Sequence, residues 1–148
     1  MAYWGVPLDY LWLCTTPPGL VWEEMSKAWE YNARRLWLVN IGDIKPGEIG
    51  AEFFLRMARN PKAFRNFNQH KYLLDWAART FGPANAEAIA SVLDEYYRLN
   101  ITVRPEHLNL NLSGFSLTNN GDEAQLRLND FVALSNAADA IYSSCRRT

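Results

Sequence analysis

Two short apolar runs lie near the start of the chain, and helix-period patterns fill most of the remainder. Tyr10-Leu11-Trp12-Leu13-Cys14 is apolar throughout and is closed by Thr15-Thr16-Pro17-Pro18. It predicts a buried strand followed by a helix that starts on proline. From about Gly19 to Asn32, Val21, Met25, Ala28 and Trp29 repeat at helical spacing, while Glu23, Glu24, Lys27 and Glu30 supply the wet side. Acidic residues toward its beginning and Arg34-Arg35 beyond its end suit the helix dipole. Leu36-Trp37-Leu38-Val39-Asn40-Ile41 predicts a second strand. Its apolar run is continuous rather than alternating, which suits a strand covered on both faces, as in a parallel sheet. Strand, helix and strand with a crossover of this length form a βαβ unit.

A new helix is expected from about Glu48, with Ile49, Phe53, Phe54 and Met57 inward. The character of the chain changes near residue 60, after which nearly everything reads helical. Tyr72, Leu73, Trp76, Ala77 and Thr80 mark one helix, closed by Phe81-Gly82-Pro83. Asn85 is placed to cap the next, which carries Ile89, Val92, Leu93, Tyr96 and Leu99 on one face. A loop rich in Asn and Leu extends to about residue 120, and the last helix starts near Gly121-Asp122 with Leu128, Phe131, Leu134, Ala138 and Ile141. The expected class is α/β but mostly helical. Two parallel strands make a very small sheet, and three helices cannot cover four strand faces and two open edges. The two apolar β segments are therefore expected to be sandwiched by neighbours that this polypeptide does not contain, as in the tail of a larger β/α structure.

Composition narrows the function classes. With 148 residues, 49% hydrophobic and 21% charged, the chain has a globular mixture and the size of one ordinary domain. No apolar run is long enough to span a bilayer, and Met1-Ala2-Tyr3-Trp4-Gly5 shows no signal-peptide pattern. A net charge of −1 argues against nucleic-acid binding driven by bulk electrostatics. Cys14 and Cys145 make neither a metal-site spacing nor a disulfide framework. Aromatic residues reach 14%, and Trp4, Trp12, Trp22, Trp29 and Trp37 all fall in the first quarter of the chain. Two readings are open: a large aromatic core, or a face that stacks on sugar rings.

Polar chemistry concentrates where the second strand ends. Asn40, Asp43, Lys45 and Glu48 bring an amide, two carboxylates and an ammonium together within nine residues. The C-terminal ends of strands are where β/α barrels carry their chemistry. Asn40 interrupts an apolar strand, so its amide is expected to be buried and in need of partners. The plainer alternative has Asp43 capping a turn, Lys45 pairing with it, and Glu48 in the first turn of the next helix. Tyr3, Trp4, Asp9 and Tyr10 precede the first strand and either face a pocket or belong to a frayed chain start. His70 and His107 are isolated and are expected to be solvated or at helix ends rather than metal ligands. There is no Ser-His-Asp order, no Gly-rich phosphate loop and no Cys-x-x-Cys, and Arg146-Arg147 reads as a solvated tail. No metal or cofactor is expected.

Residues 3–18, Tyr-Trp-Gly-Val-Pro-Leu-Asp-Tyr-Leu-Trp-Leu-Cys-Thr-Thr-Pro-Pro, resemble a signature stretch of glycoside hydrolase family 115. So do residues 34–48, Arg-Arg-Leu-Trp-Leu-Val-Asn-Ile-Gly-Asp-Ile-Lys-Pro-Gly-Glu, followed by Glu-Phe-Phe-Leu-Arg-Met-Ala at 52–58. Phe81-Gly82, Ile89-Ala90, Arg104-Pro105-Glu106 and Gly121-Asp122-Glu123-Ala124-Gln125 fit that family's helical region. The resemblance implies a βαβ remnant at the end of a (β/α)-barrel catalytic domain over residues 1–62 and a helical-bundle segment over 63–148. It further implies an inverting xylan α-1,2-glucuronidase, which removes glucuronic acid or its 4-O-methyl form from glucuronoxylan or its oligosaccharides. Inversion uses an acid and a base roughly 6.5–9.5 Å apart. By resemblance, Tyr3 and Asn40 match positions that line the active site, with roles in substrate binding or water positioning. Asp43 and Lys45 support them, Trp4 and Asp9 belong to the same wall, and Glu48 is the weakest member.

Departures from the family pattern shape the expectation. A His common three residues before the position of Tyr3 is absent, and the family's acid and base are expected on earlier strands. Arg56 and Arg59 stand where an Asp and a Trp are common, and the chain stops after Ile141–Thr148, where the family continues into more helix. A truncated reading frame accounts for both ends, and the chain alone is expected to be inactive. Full-length members are expected to be secreted or periplasmic, with homodimers among them, and neither nucleic acid nor membrane is an expected partner. The competing expectation is a non-catalytic helical module that binds a partner or a sugar.

Overall fold

The computed structural model describes Met1, Tyr3 and residues 13–105 and 121–145. The chain forms two compact units, Met1–Gln69 and His70–Thr148. The described residues are mostly helical: α1 (Pro18–Glu30), α2 (Glu48–Arg59), α3 (Gln69–Phe81), α4 (Ala86–Thr102) and α5 (Gly121–Cys145), with tight 3₁₀ turns at Pro61–Phe64 and Pro83–Asn85.

In the first unit, α1 begins on Pro18, where a missing N–H costs the helix nothing. It stops because Asn32 takes up left-handed backbone at φ 71°. Around that turn the Asn32 N–H donates to the Trp29 carbonyl at 3.1 Å and the Ala33 N–H to Ala28 at 2.9 Å. This is a Schellman end with Asn in the place usually held by Gly. The face of α1 expected to point inward does so, with Val21 and Met25 buried and Ala28 and Trp29 half-buried. Helix α2 packs on α1 and buries Ile49, Phe53, Phe54 and Met57. Fully burying each of the larger side chains contributes about 1.5–3 kcal/mol. Arg56 and Arg59 lie exposed in its last turn, where cations suit the helix dipole, and Arg56 pairs with Glu52 at 3.2 Å.

Rings knit this unit together. Phe53 meets Phe64 edge-on at 5.3 Å and Phe67 at 4.7 Å, and Trp22 stacks on Phe67 at 6.0 Å. The Trp22 indole N–H donates to the Phe64 carbonyl at 2.7 Å. Trp37 lies against Trp29 at 6.4 Å and Phe54 at 6.0 Å. Three of the five early tryptophans thus take part in core packing, while Trp4 and Trp12 lie outside the described residues. Gln69 closes the unit by accepting the Gly19 N–H at 2.9 Å, which satisfies a donor in the first turn of α1.

The expected strands do not form a ladder among the described residues. Residues 36–41 are extended, with one bridge at Asn40. The amino group of Met1 donates to the Leu38 carbonyl at 2.8 Å, Asn40 N–H to Met1 at 2.9 Å, and Tyr3 N–H to Asn40 at 3.1 Å. Leu13 and Cys14 join no strand, and residues 10–12 lie outside the described residues. The chain's own helices do not cover residues 36–41 on both faces, in line with the expectation that this cover lies outside the polypeptide. Trp37 and Val39 are half-buried, with Trp37 seated on α1 and α2, whereas Leu36 and Leu38 are 80% and 78% exposed. The helices of this unit cover one side of the segment only.

In the second unit α3 buries Tyr72, Leu73, Trp76 and Ala77, as its pattern predicts, while Thr80 is exposed. It ends at Phe81, before Gly82 at φ 87°. Asn85 occupies the N-cap position of α4 but makes no cap bond, and its Nδ2 donates to Cys145 Sγ at 3.1 Å. The Pro83–Asn85 turn leaves Asn85 at φ −112° and ψ 7°, away from the extended backbone that capping requires. The buried face of α4 is Ala86, Ala90, Tyr97, Leu99 and Asn100, rotated from the expected one, so that Ile89, Val92, Leu93 and Tyr96 are half-buried. Helix α5 packs on α4 without a fully buried residue. Phe131, Leu134 and Ile141 are half-buried, but Leu128 and Ala138, also expected inward, are exposed. Arg127 ties the pair by donating to the Leu99 carbonyl at 3.2 Å and the Val103 carbonyl at 2.8 Å, at the C-terminal end of α4. His70 is not isolated. Its Nδ1 lies 2.6 Å from Asp94 and its Nε2 3.0 Å from Glu87, both on α4. His107, Arg146 and Arg147 lie outside the described residues.

Candidate functional site

The extended segment delivers Asn40 to the mouth of an open cavity of about 420 Å³, lined by Met1, Leu38, Val39, Asn40, Ile41 and Gly42. The sequence after Asn40 turns at once. Gly42 lies at φ 70°, a conformation that glycine reaches without strain, and its N–H donates to Asn40 Oδ1 at 3.1 Å. This Asx-type turn fixes the amide. Asn40 is exposed, contrary to the burial expected from its apolar neighbours in sequence. The reason is the missing cover on the face that it shares with Leu36 and Leu38. With Oδ1 engaged, Nδ2 has no partner among the described residues and can meet a carboxylate or hydroxyl oxygen.

Beyond the turn, the Asp43 carbonyl accepts the Gly47 N–H at 3.2 Å, and the Lys45 carbonyl accepts the Glu48 N–H at 3.4 Å. A Cβ on Gly47 would sit 3.0 Å from the Asp43 carbonyl oxygen, so this tight coil into α2 requires glycine. Lys45 pairs with Glu48 at 2.9 Å, not with Asp43, whose exposed side chain has no ion pair among the described residues. Glu48 opens α2, as the plainer reading of the cluster has it.

Tyr3 and Asn40 are brought together through their backbones, but the phenol of Tyr3 points away from the cavity lining. It is 3% exposed, and its hydroxyl donates to the Gly50 carbonyl at 2.6 Å. The Tyr3 carbonyl in turn accepts from the buried Thr16 hydroxyl. The structure thus groups Asn40 with Asp43 and Lys45 on one turn and sets Tyr3 beneath it. Trp4 and Asp9 lie outside the described residues. Cys14 is half-buried, and burial pushes its thiol above the usual range, which leaves it a poor nucleophile. No cluster of three His, Cys, Asp or Glu side chains able to hold a metal occurs among the described residues. No helix among them is long and apolar enough to cross a membrane.

The turn with its amide, carboxylate and ammonium lies within the stretch of chain that a family model matches. The model of Glycosyl hydrolase family 115 matches residues 1–107, which include the whole turn and all of α1 to α4. The chain belongs to glycosyl hydrolase family 115. Comparison with curated proteins finds no match to the sequence.

Proposed function

We propose that the chain carries part of the substrate wall of a xylan α-1,2-glucuronidase, with Asn40 binding the uronic-acid side chain of glucuronoxylan or positioning the attacking water. The observation that supports this most directly is the Nδ2 of Asn40, which has no partner among the described residues and lies at an open cavity, with its Oδ1 locked by Gly42. A donor held in that way favours an oxygen-rich ligand. Asp43 and Lys45 shape the same turn, and Tyr3 acts as a positioning residue through its backbone bond to Asn40. Trp4 and Asp9 complete the wall in this reading. The open face of Leu36, Leu38 and Asn40 suits a segment that continues a barrel, the βαβ remnant, when flanked by further strands.

Inverting hydrolysis requires two carboxyl groups held at a fixed separation across the scissile bond. Glu48 is engaged by Lys45, and Asp43 alone cannot serve as both acid and base. The isolated chain is therefore inactive in this proposal. Titration of the ¹⁵N-labelled chain with glucuronic-acid-substituted xylotetraose tests the binding role. The Asn40 side-chain amide resonances should shift, and Asn40→Asp, which replaces the donor with an acceptor, should weaken binding at least about tenfold as read from the backbone amide shifts of Ile41 and Gly42. Unmoved Asn40 amide signals, or release of glucuronate by the purified chain, would overturn the respective half of the proposal.

A further inference from the structure

A second concavity in the first unit, about 460 Å³, shares no lining residue with the one at Asn40. Trp22 and Trp29 lie along it seven residues apart on α1, on the same side of the helix and about 10 Å from each other along its axis. Both are half-buried, so each indole keeps part of its surface in the groove. Trp22 is held in place by its bond to the Phe64 carbonyl and its stack on Phe67. Arg34, Lys62 and Arg65 enter from the segments that come after α1 and α2. The Arg34 guanidinium lies 4.6 Å over the Trp29 ring. None of these three cations makes an ion pair among the described residues, and Glu30 is the one carboxylate in the lining. Flat aromatic surface beside a local excess of unpaired positive charge defines a ligand with an apolar ring face and an anionic edge.

We infer that this groove binds an acidic saccharide, with a pyranose face against Trp22 and a ring carboxylate between Lys62 and Arg65, beside the Arg34 guanidinium that caps the Trp29 ring. Arginine supplies a planar fork that matches a carboxylate, and indole faces take the C–H side of a pyranose. A nucleic-acid strand fits less well. The chain as a whole carries a net charge of −1 and offers no long-range pull on a polyphosphate, while Glu30 repels closely spaced phosphates but accepts sugar hydroxyls. The site stands on its own lining. It goes beyond the role given to Asn40 by adding a second, non-hydrolytic hold on a polymer.

Calorimetric titrations of the full chain test it, carried out in the Asn40→Ala background so that failure here and failure at Asn40 read separately. The probes are glucuronic-acid-substituted xylotetraose, plain xylotetraose and a ten-nucleotide oligothymidylate. The acidic tetraose should bind at least about tenfold more tightly than the plain one, and the oligonucleotide more weakly than either. Lys62→Gln with Arg65→Gln should erase the gap between the two sugars without moving the thermal midpoint. Should that pair melt early, Lys62→Gln alone, at an exposed position, should still narrow the gap. Equal affinity for the two sugars, a gap that survives these variants, or tighter binding of the oligonucleotide would overturn the inference.

Discussion

Tyr3 packs directly against Gly50. The phenol lies across the glycine, so that a Cβ there would come within 2.6 Å of the ring. Gly50→Ala is therefore expected to destabilise the chain by about 1–3 kcal/mol, because the ring must leave its seat against α2. Tyr3→Phe removes the hydroxyl bond to the Gly50 carbonyl and should cost about 1 kcal/mol. Urea titration of the two single variants and of Gly50→Ala with Tyr3→Ala checks this, since the double variant should be less destabilised than the sum of its parts. Strict additivity would show that the ring does not press on residue 50. At this scale the sequence spoke unevenly. Asn40 announced itself as a polar break in an apolar run, but whether it faced protein or solvent depended on cover from outside the segment. The destination of the Tyr3 hydroxyl depended on a contact across 47 residues that no local pattern encodes.

At the scale of elements, periodicity located α1, α2 and α3 and their inward faces, because each packs one continuous stripe. It served α4 and α5 in part: Leu99 is buried and Phe131, Leu134 and Ile141 are half-buried as expected, but Leu128 and Ala138 are exposed. Helix α4 is half-buried around much of its circumference, and α5 is held to it partly by a polar tie from Arg127, so no single apolar stripe defines either inward face. The His70 link between α3 and α4 was equally hidden, since its carboxylates lie 17 and 24 residues away. Its consequence is measurable. The hydrogen bond to Asp94 raises the His70 pKa above its ordinary value, opposed in part by desolvation and helped by Glu87. A raised folded-state value means that the stabilisation is complete below the unfolded pKa, about 6.5, and fades as pH climbs through the folded one. The thermal midpoint should therefore fall as pH rises above about 6.5, by a modest amount because the pair is partly solvated. His70→Gln should flatten that slope, and an unchanged slope in the variant would exclude the imidazole as its source. The groove cations Lys62 and Arg65, by contrast, were visible as sequence but not as neighbours of Trp22 and Trp29, because the turn after α2 brings them back to α1.

For the whole molecule, the feature with the widest reach is the uneven cover of residues 36–41. Leu36 and Leu38 face solvent while Trp37 seats the opposite side on two helices. Replacing both leucines by threonine should lower binding of a hydrophobic dye and raise solubility while leaving the thermal midpoint within about 1–2 °C, since the exposed side chains contribute little to the folded core. A large drop in midpoint would mean that these leucines are covered in solution. The backbone tells the same story, for among the described residues Val39 makes no main-chain hydrogen bond on the side away from Met1 and Tyr3. A ribbon with one edge unpaired among the described residues and one exposed apolar flank is open to pairing with another extended segment. During synthesis a second nascent copy of the chain is one such candidate. The outcome is then a matter of crowding and timing, and the yield of correctly folded protein should depend on how fast the chain is made.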